Sequence, residues 1–256
     1  MTKQIVQGER LDVAMVQRGL AESRQRAQGM ILAGLVAVSG QPVVHSSHRI
    51  TPDTDILLQG PEHPFVGRGG VKLAAALERF SIDPTGMTAL DIGASTGGFT
   101  DCLLQHGAFK VYAVDVGYGQ LAWRLRQDAR VVVFERCNAR YLEPRMIPQK
   151  PDVVTIDVSF ISLGLILPAV ARLLDGGGVV LALLKPQFEI GKGKLGRGGV
   201  IRDEEVRRET VAQVRRDLEA EGWMWLDEMI SPIAGQKGNI EHFIRLRWVP
   251  AAPSQA

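Results

Sequence analysis

Apolar positions along this chain change their rhythm near residue 60. Before it they recur at helical spacing in two short stretches. Residues 9–20 predict an amphipathic helix that Gly19 ends, and Ser23 caps a second helix running to Ala33, with Gly34 as its stop. Residues 35–38 then alternate as a strand does, toward a turn at Gly40-Gln41-Pro42. After residue 68 wholly apolar runs of strand length are separated by helical patterns. The runs at 87–92, 111–115, 131–134, 152–157 and 178–184 read as buried strands. Helices are predicted at 68–80, 99–105 and 204–221, and 223–229 with 242–248 as final antiparallel strands. This alternation gives a doubly wound α/β sheet behind a small α+β unit. Such sheets bind ligands at the carboxyl ends of their strands.

The two rhythms divide the chain into domains at 1–60 and 68–250, with a linker at 61–67 and a frayed tail at 251–256. Pro61 and Pro64 exclude a helix continuing through the linker, and its shortness predicts that the two units are held close. At 256 residues a full core can be buried, and 45% hydrophobic with 23% charged residues is ordinary for a soluble protein. Two cysteines, Cys102 and Cys137, make no disulfide framework, and both read best as buried structural residues. The longest apolar stretch, 161–174, is interrupted by Pro168 and Arg172, so no spanning helix is expected. With no signal peptide, a cytoplasmic protein is the default. The formal charge of +2 is compatible with nucleic acid and decides nothing.

Chemistry concentrates where the apolar runs end. Leu90-Asp91-Ile92-Gly93-Ala94-Ser95-Thr96-Gly97-Gly98 is a strand entering a glycine turn, either a tight structural turn or a place where a ligand meets bare backbone. A dinucleotide fingerprint requires glycine where Ser95 stands, and a phosphate loop requires Lys-Ser/Thr where Phe99-Thr100 follow. Asp115 ends the second strand, where a carboxylate can accept both ribose hydroxyls of a nucleoside. Asn138 is either a plain turn residue or an amide that reaches an adenine. Lys185 ends a wholly apolar strand, where burial and a second cation would leave a neutral amine able to take a proton. Lys72, alone, reads as an ordinary helix lysine. A loop with Lys192, Lys194 and Arg197 and no acid, and Arg10, Arg18, Arg24 and Arg26 on the first two helices, read either as solvated faces or as phosphate contacts.

The glycine turn with Asp91 before it resembles the first motif of S-adenosylmethionine-dependent methyltransferases. At the fourth strand, Asp157-Val158-Ser159-Phe160 lacks the paired prolines of amino-methylating enzymes, and neither cysteine follows that strand as a base-carbon nucleophile would. A hydroxyl acceptor is left. In front, Arg10-Leu11-Asp12, Gly19-Leu20, Ser23-Arg24 and Gly34-Leu35-Val36-Ala37-Val38 resemble the S4 RNA-binding domain, with Ser39 where that family usually has asparagine. Arg68-Gly69-Gly70, Lys72-Leu73, Asp91 through Asp101, Val114-Asp115-Val116-Gly117, Asp157 through Leu163, Lys185 through Glu189, and Gly238-Asn239 with Glu241 together resemble the TlyA family. Its members are rRNA cytidine-2′-O-methyltransferases also known as haemolysin A, with a catalytic half of FtsJ-like type.

The resemblance implies a Rossmann-like class I methyltransferase fold, a mostly parallel seven-stranded sheet with an antiparallel last strand. It implies S-adenosyl-L-methionine as cofactor, met by Asp91, Gly93, Ser95, Gly97, Asp115, Val116, Asn138, Ala139 and Phe160. A Lys-Asp-Lys-Glu tetrad maps onto Lys72, Asp157, Lys185 and Glu241, with Lys185 as proton acceptor or close stabiliser of the oxygen. RNA would meet Arg10, Arg18, Arg24, Arg26, Arg68, Lys192, Lys194 and Arg197. The implied partners are ribosomal RNA and ribosomal subunits, with no metal, no stable membrane association and a chain monomeric when free. A membrane-active lysin and a non-catalytic RNA-binding protein are the alternatives. The first finds no apolar span or strongly amphipathic helix, and the second is opposed by an intact tetrad.

Overall fold

The computed structural model describes residues 8–32, 34–58, 63–190, 199–235 and 238–250, in two units, Met1–Arg68 and Gly69–Ala256. In the front unit β1 (Glu9–Arg10) leads into α1 (Leu11–Gln17), followed by α2 (Arg24–Leu32) and β2 (Val36–Val38). β3 (Gln41–Pro42) and β5 (Ile56–Leu58) flank β2 antiparallel, while β4 (Arg49–Ile50) pairs with β1. Leu11, Met15, Ala27, Ile31, Val36 and Ile50 make its core.

Two expectations change here. The first helix is shorter than 9–20, because Glu9 and Arg10 pair with Ile50 and Arg49 as a strand. Gln41-Pro42 is an edge strand, not turn. The reversal lies at Ser39 and Gly40, both left-handed (φ 50° and 79°), the geometry of a two-residue hairpin that matches strand twist. Proline is tolerated on an edge because no ladder partner needs its missing N–H.

The second unit begins with α3 (Gly69–Arg79), then β6 (Thr88–Ile92), α4 (Gly98–Gln105), β7 (Lys110–Val114), α5 (Trp123–Arg126) and β8 (Val131–Phe134). β9 (Val153–Ile156), α6 (Leu167–Leu174), β10 (Val179–Leu184) and the single turn α7 (Pro186–Glu189) follow. α8 (Glu204–Ala220), β11 (Trp223–Ile230) and β12 (His242–Trp248) complete it. The strands form one sheet in the order β11-β12-β10-β9-β6-β7-β8. All described pairings are parallel except those of β12, which runs against both neighbours. The expected seven-stranded sheet with a reversed final strand is therefore present. Leu90, Ile92, Val154, Ile156, Val180 and Ala182 are buried in the sheet's core, which explains why these strands read as unbroken apolar runs.

Connectivity leaves β6 for β7 and β8 on one side and returns to β9 on the other. The order reverses between β6 and β9, and a doubly wound sheet opens a crevice at the carboxyl ends of such strands.

Candidate active site

The turn after β6 is shaped by contacts that exclude side chains. Gly93 has φ +85°, and a Cβ there would collide with the main-chain carbonyl of Asp157, so the ends of β6 and β9 can approach closely. Gly97 is left-handed at the start of α4, beneath Leu121 and Leu125. Ser95, also left-handed at φ 50°, is exposed. Its N–H donates to Asp115 Oδ2 at 2.8 Å, while Gly117 N–H donates to Asp115 Oδ1 at 2.6 Å. Asp115 thus ties the two turns that border the crevice and keeps part of its carboxylate accessible. Val116 and Phe160 are exposed, Ala139 is buried, and Asn138 accepts from Arg140 N–H at 3.1 Å as the cap of a short 3-10 turn at Ala139–Tyr141.

Asp91 departs from the expectation of a cofactor ligand. It is fully buried, with Thr100 Oγ1 donating to Oδ2 at 2.7 Å and Thr155 Oγ1 to Oδ1 at 2.9 Å. Burial pushes its carboxyl up to about 6 against the pull of those hydroxyls. Its work is to hold the turn from beneath by joining β6, α4 and β9. Cys102 is buried as expected, and burial raises its thiol to about 12, which leaves no thiolate for nucleophilic chemistry. Cys137, expected to be buried too, is half-buried, and even that burial raises its thiol.

Two lysine–carboxylate pairs stand at the same end of the sheet, beyond the carboxyl ends of β9 and β10. Lys185 Nζ lies 2.6 Å from Asp157 Oδ1, with the lysine side chain 9% and the aspartate 24% exposed. Lys72 Nζ lies 2.6 Å from Glu241 Oε2, both largely buried. The β10–β12 ladder ends at Leu184 opposite His242, so Lys185 and Glu241 are neighbours one rung further on. Asp157 follows β9, its N–H donating to Ile92 O at 2.9 Å. Lys72 comes from α3. Gly235 presses on Glu241: any Cβ at 235 would overlap the carboxylate. Lys185 was expected beside a second cation; its nearest charged partner here is an anion, so lysine and aspartate form an ion pair.

The front arginines are largely occupied inside their own unit. Asp12 is fully buried and receives Arg10 Nε at 2.9 Å, Arg24 Nε at 2.9 Å and Gln28 Nε2 at 2.6 Å. The Arg10 guanidinium, with Gln28 and Arg24, holds that carboxyl well below the usual carboxylate range despite burial. Arg18 donates to the carbonyls of Thr54, Pro52 and Thr51 at 2.6, 2.9 and 3.2 Å. No side-chain partner is found for Arg26 among the described residues. Arg68 is exposed. Lys192, Lys194 and Arg197 lie outside the described residues.

Sequence reading passed over several groups that the geometry brings forward. Ser159 Oγ accepts from Lys185 Nζ at 3.0 Å, and Glu189 Oε1 accepts from Leu163 N–H at 2.9 Å. Glu135 accepts from Gly119 N–H at 2.7 Å and pairs with Arg126, bracing the turn after β7. These pairs are separated by up to 26 residues in sequence, and only the fold makes them neighbours. Among the described residues no group of three His, Cys, Asp or Glu could hold a metal ion, and no helix is long and apolar enough to cross a membrane.

A family model described as FtsJ-like methyltransferase matches residues 65–248, and one described as S4 domain matches residues 9–56. The chain is 46% identical over 239 residues to the 16S/23S rRNA (cytidine-2′-O)-methyltransferase TlyA of Mycobacterium tuberculosis, covering 93% of this chain and 89% of that one. It is 44% identical to hemolysin A of Brachyspira hyodysenteriae, across 92% of this chain and 99% of the relative. A solved structure from Streptococcus thermophilus that carries the name hemolysin has a TM-score of 0.76 at 42% identity, covering 96% of this chain and 90% of its own.

Proposed function

The chain belongs to the FtsJ-like methyltransferase family and carries an S4 domain at its front; on that premise we propose that it methylates the 2′-hydroxyl of a cytidine in ribosomal RNA, using S-adenosyl-L-methionine. The observation that carries this reading is the meeting of two lysine–carboxylate pairs beside the glycine turn. The relatives named above supply the acceptor.

The crevice fits the cofactor's chemistry. S-adenosylmethionine supplies an electrophilic methyl group on a positively charged sulfur. The turn from Gly93 to Thr100 contains no lysine or arginine to repel such a ligand. Asp115 would hold the ribose hydroxyls, Asn138 the adenine, and Ser95 and Gly97 would border the rest. Asp91 contributes from below by fixing that turn.

The acceptor side needs a ribose hydroxyl held in one direction and relieved of its proton. Lys185 lends an N–H to the oxygen while Asp157 orients the ammonium, and the proton is handled by the pair as a unit. Glu241, pressed by Gly235 and paired to Lys72, fixes the position of Lys72 and balances its charge. Lys72 is thereby presented to the ribose as a fixed cation. The S4 domain supplies RNA affinity, through phosphates and shape. Methyl incorporation from labelled S-adenosylmethionine into purified 30S and 50S ribosomal subunits tests the reading, with erythrocyte lysis by the same preparation measured alongside. Incorporation into one or both subunits without lysis is expected. Lysis with no incorporation into either would overturn it.

A further inference from the structure

A lysine ammonium has three N–H donors. In Lys185 one of them donates to Ser159 Oγ at 3.0 Å, while Nζ also lies 2.6 Å from Asp157 Oδ1 as an ion pair. Ser159 is exposed and belongs to a loop with an unusual path. The next residue, Phe160, has φ +64°, a left-handed conformation that a phenylalanine rarely adopts without support from its surroundings. The Phe160 ring rests on Phe188 with centroids 4.9 Å apart, and Leu163 N–H donates to Glu189 Oε1 at 2.9 Å. Phe188 and Glu189 lie in α7, the helical turn that Lys185 itself opens. The element that carries the lysine therefore grips the serine loop at two further points.

An ion pair is weakly directional and alone would leave Nζ free to swing about its contact with Asp157. The hydrogen bond to Ser159 Oγ, on a braced loop, fixes the nitrogen's orientation and with it the direction of its other N–H bonds. We propose that Ser159 is a positioning residue for methyl transfer, engaging one N–H of Lys185 so that another is aimed at the acceptor oxygen. This rests on the reading of Lys185 as the group that meets that oxygen.

The test uses the full-length protein with Ser159→Ala, Ser159→Thr and Lys185→Ala. Initial rates are measured on 30S and 50S subunits, and cofactor affinity by calorimetry. Loss of a hydrogen bond to a charged group predicts that Ser159→Ala lowers kcat by about 10- to 100-fold. Its KM for subunits and its affinity for S-adenosylmethionine should stay within about twofold of the parent, since uniform binding is untouched. Ser159→Thr keeps the hydroxyl and should recover most of the lost rate. Parent-like turnover in Ser159→Ala, equal impairment in both serine variants, or a loss residing in KM or cofactor affinity overturns the proposal. Parent-like turnover in Lys185→Ala would instead remove the reading beneath it.

Discussion

Two aspartates, each fully buried, show how differently the two units use charge. In the front unit Asp12 is enclosed by Arg10, Arg24 and Gln28, and stays ionised well below its ordinary range. In the catalytic unit Asp91 meets two hydroxyls, from Thr100 and Thr155, and burial raises its carboxyl to about 6. The front unit is small, with a core of few apolar side chains, and draws cations inward to fix its two helices. The larger unit has an extensive apolar core and needs no cation around Asp91. Its lysine–carboxylate pairs stand beyond the carboxyl ends of β9 and β10, and under the proposed function they are kept for chemistry. Charge holds the fold together in one unit and, on that reading, serves the reaction in the other.

The strongest way to break this contrast is Lys185→Ala. It should lower methyl transfer to ribosomal subunits by at least ~100-fold while circular dichroism and cofactor binding persist, because an acid–base partner is lost and no core is disturbed. A variant that unfolds instead would show that the lysine–carboxylate pairs are structural too. Next in size is Asp12→Ala, which removes the acceptor shared by three donors. It should destabilise the front unit by about 1–3 kcal/mol in urea titration. Asp91→Asn should cost no more than about 1 kcal/mol at pH 7, since rotating hydroxyls can serve an amide as well.

The same contrast predicts opposite responses to acid. Asp12 is lowered from an ordinary value of 3.8, so its contribution is present above that value and lost as pH falls through the folded-state value. Asp91 is raised from 3.8 to about 6, so its contribution is full below 3.8 and lost as pH rises through about 6. Between pH 7 and 4 the Asp91 region should gain stability while the Asp12 region holds level; hydrogen exchange resolved by residue would read both. Loss of protection around Asp91 over that interval would contradict the assignment. The smallest effect concerns the front arginines. Arg26→Ala should flatten the salt dependence of RNA binding by about one unit of log–log slope without changing the melting temperature. Arg18→Ala, which gives up three carbonyl contacts, should lower that temperature instead.

The central strands β6, β9 and β10 were legible because they are buried on both faces, which turns a strand into an uninterrupted apolar run. Among the elements missed, β1 and β4 have two residues each, too few for any periodicity, and α5 has four, while α6, with eight, has a proline in its first turn inside an apolar run that hides a helical face. At the site, Asp115 and Lys185 could be marked because each ends such a run. Asp91 ends one as well, yet its partner Thr155 lies 64 residues away, and nothing local distinguishes a carboxylate facing a crevice from one sealed beneath it. The partners of the front arginines were hidden for a similar reason. Arg10 and Arg24 look like surface charge until Asp12 is seen between them. Ser159 was marked only as part of the run after β9 and given no role of its own, because its link to Lys185 exists only in three dimensions.

The reversed strand β12 has a consequence for how the protein is made. Running against its neighbours, it enters the sheet at the end where β10 leaves, which sets Glu241 beside Lys185. Lys72, at the opposite extreme of the unit, reaches Glu241 across 169 residues of sequence. A ribosome adding about 5–20 residues per second would therefore hold the first lysine for roughly ten to thirty seconds before its partner is synthesised. A nascent chain that stopped at β11 could complete most of the sheet and still lack the closing carboxylate. Such a chain would have the glycine turn and would leave Lys72 unpaired. Under the proposed function, methyl transfer through that pair waits until translation has reached the last strand, whereas the S4 domain at residues 9–56 is complete long before.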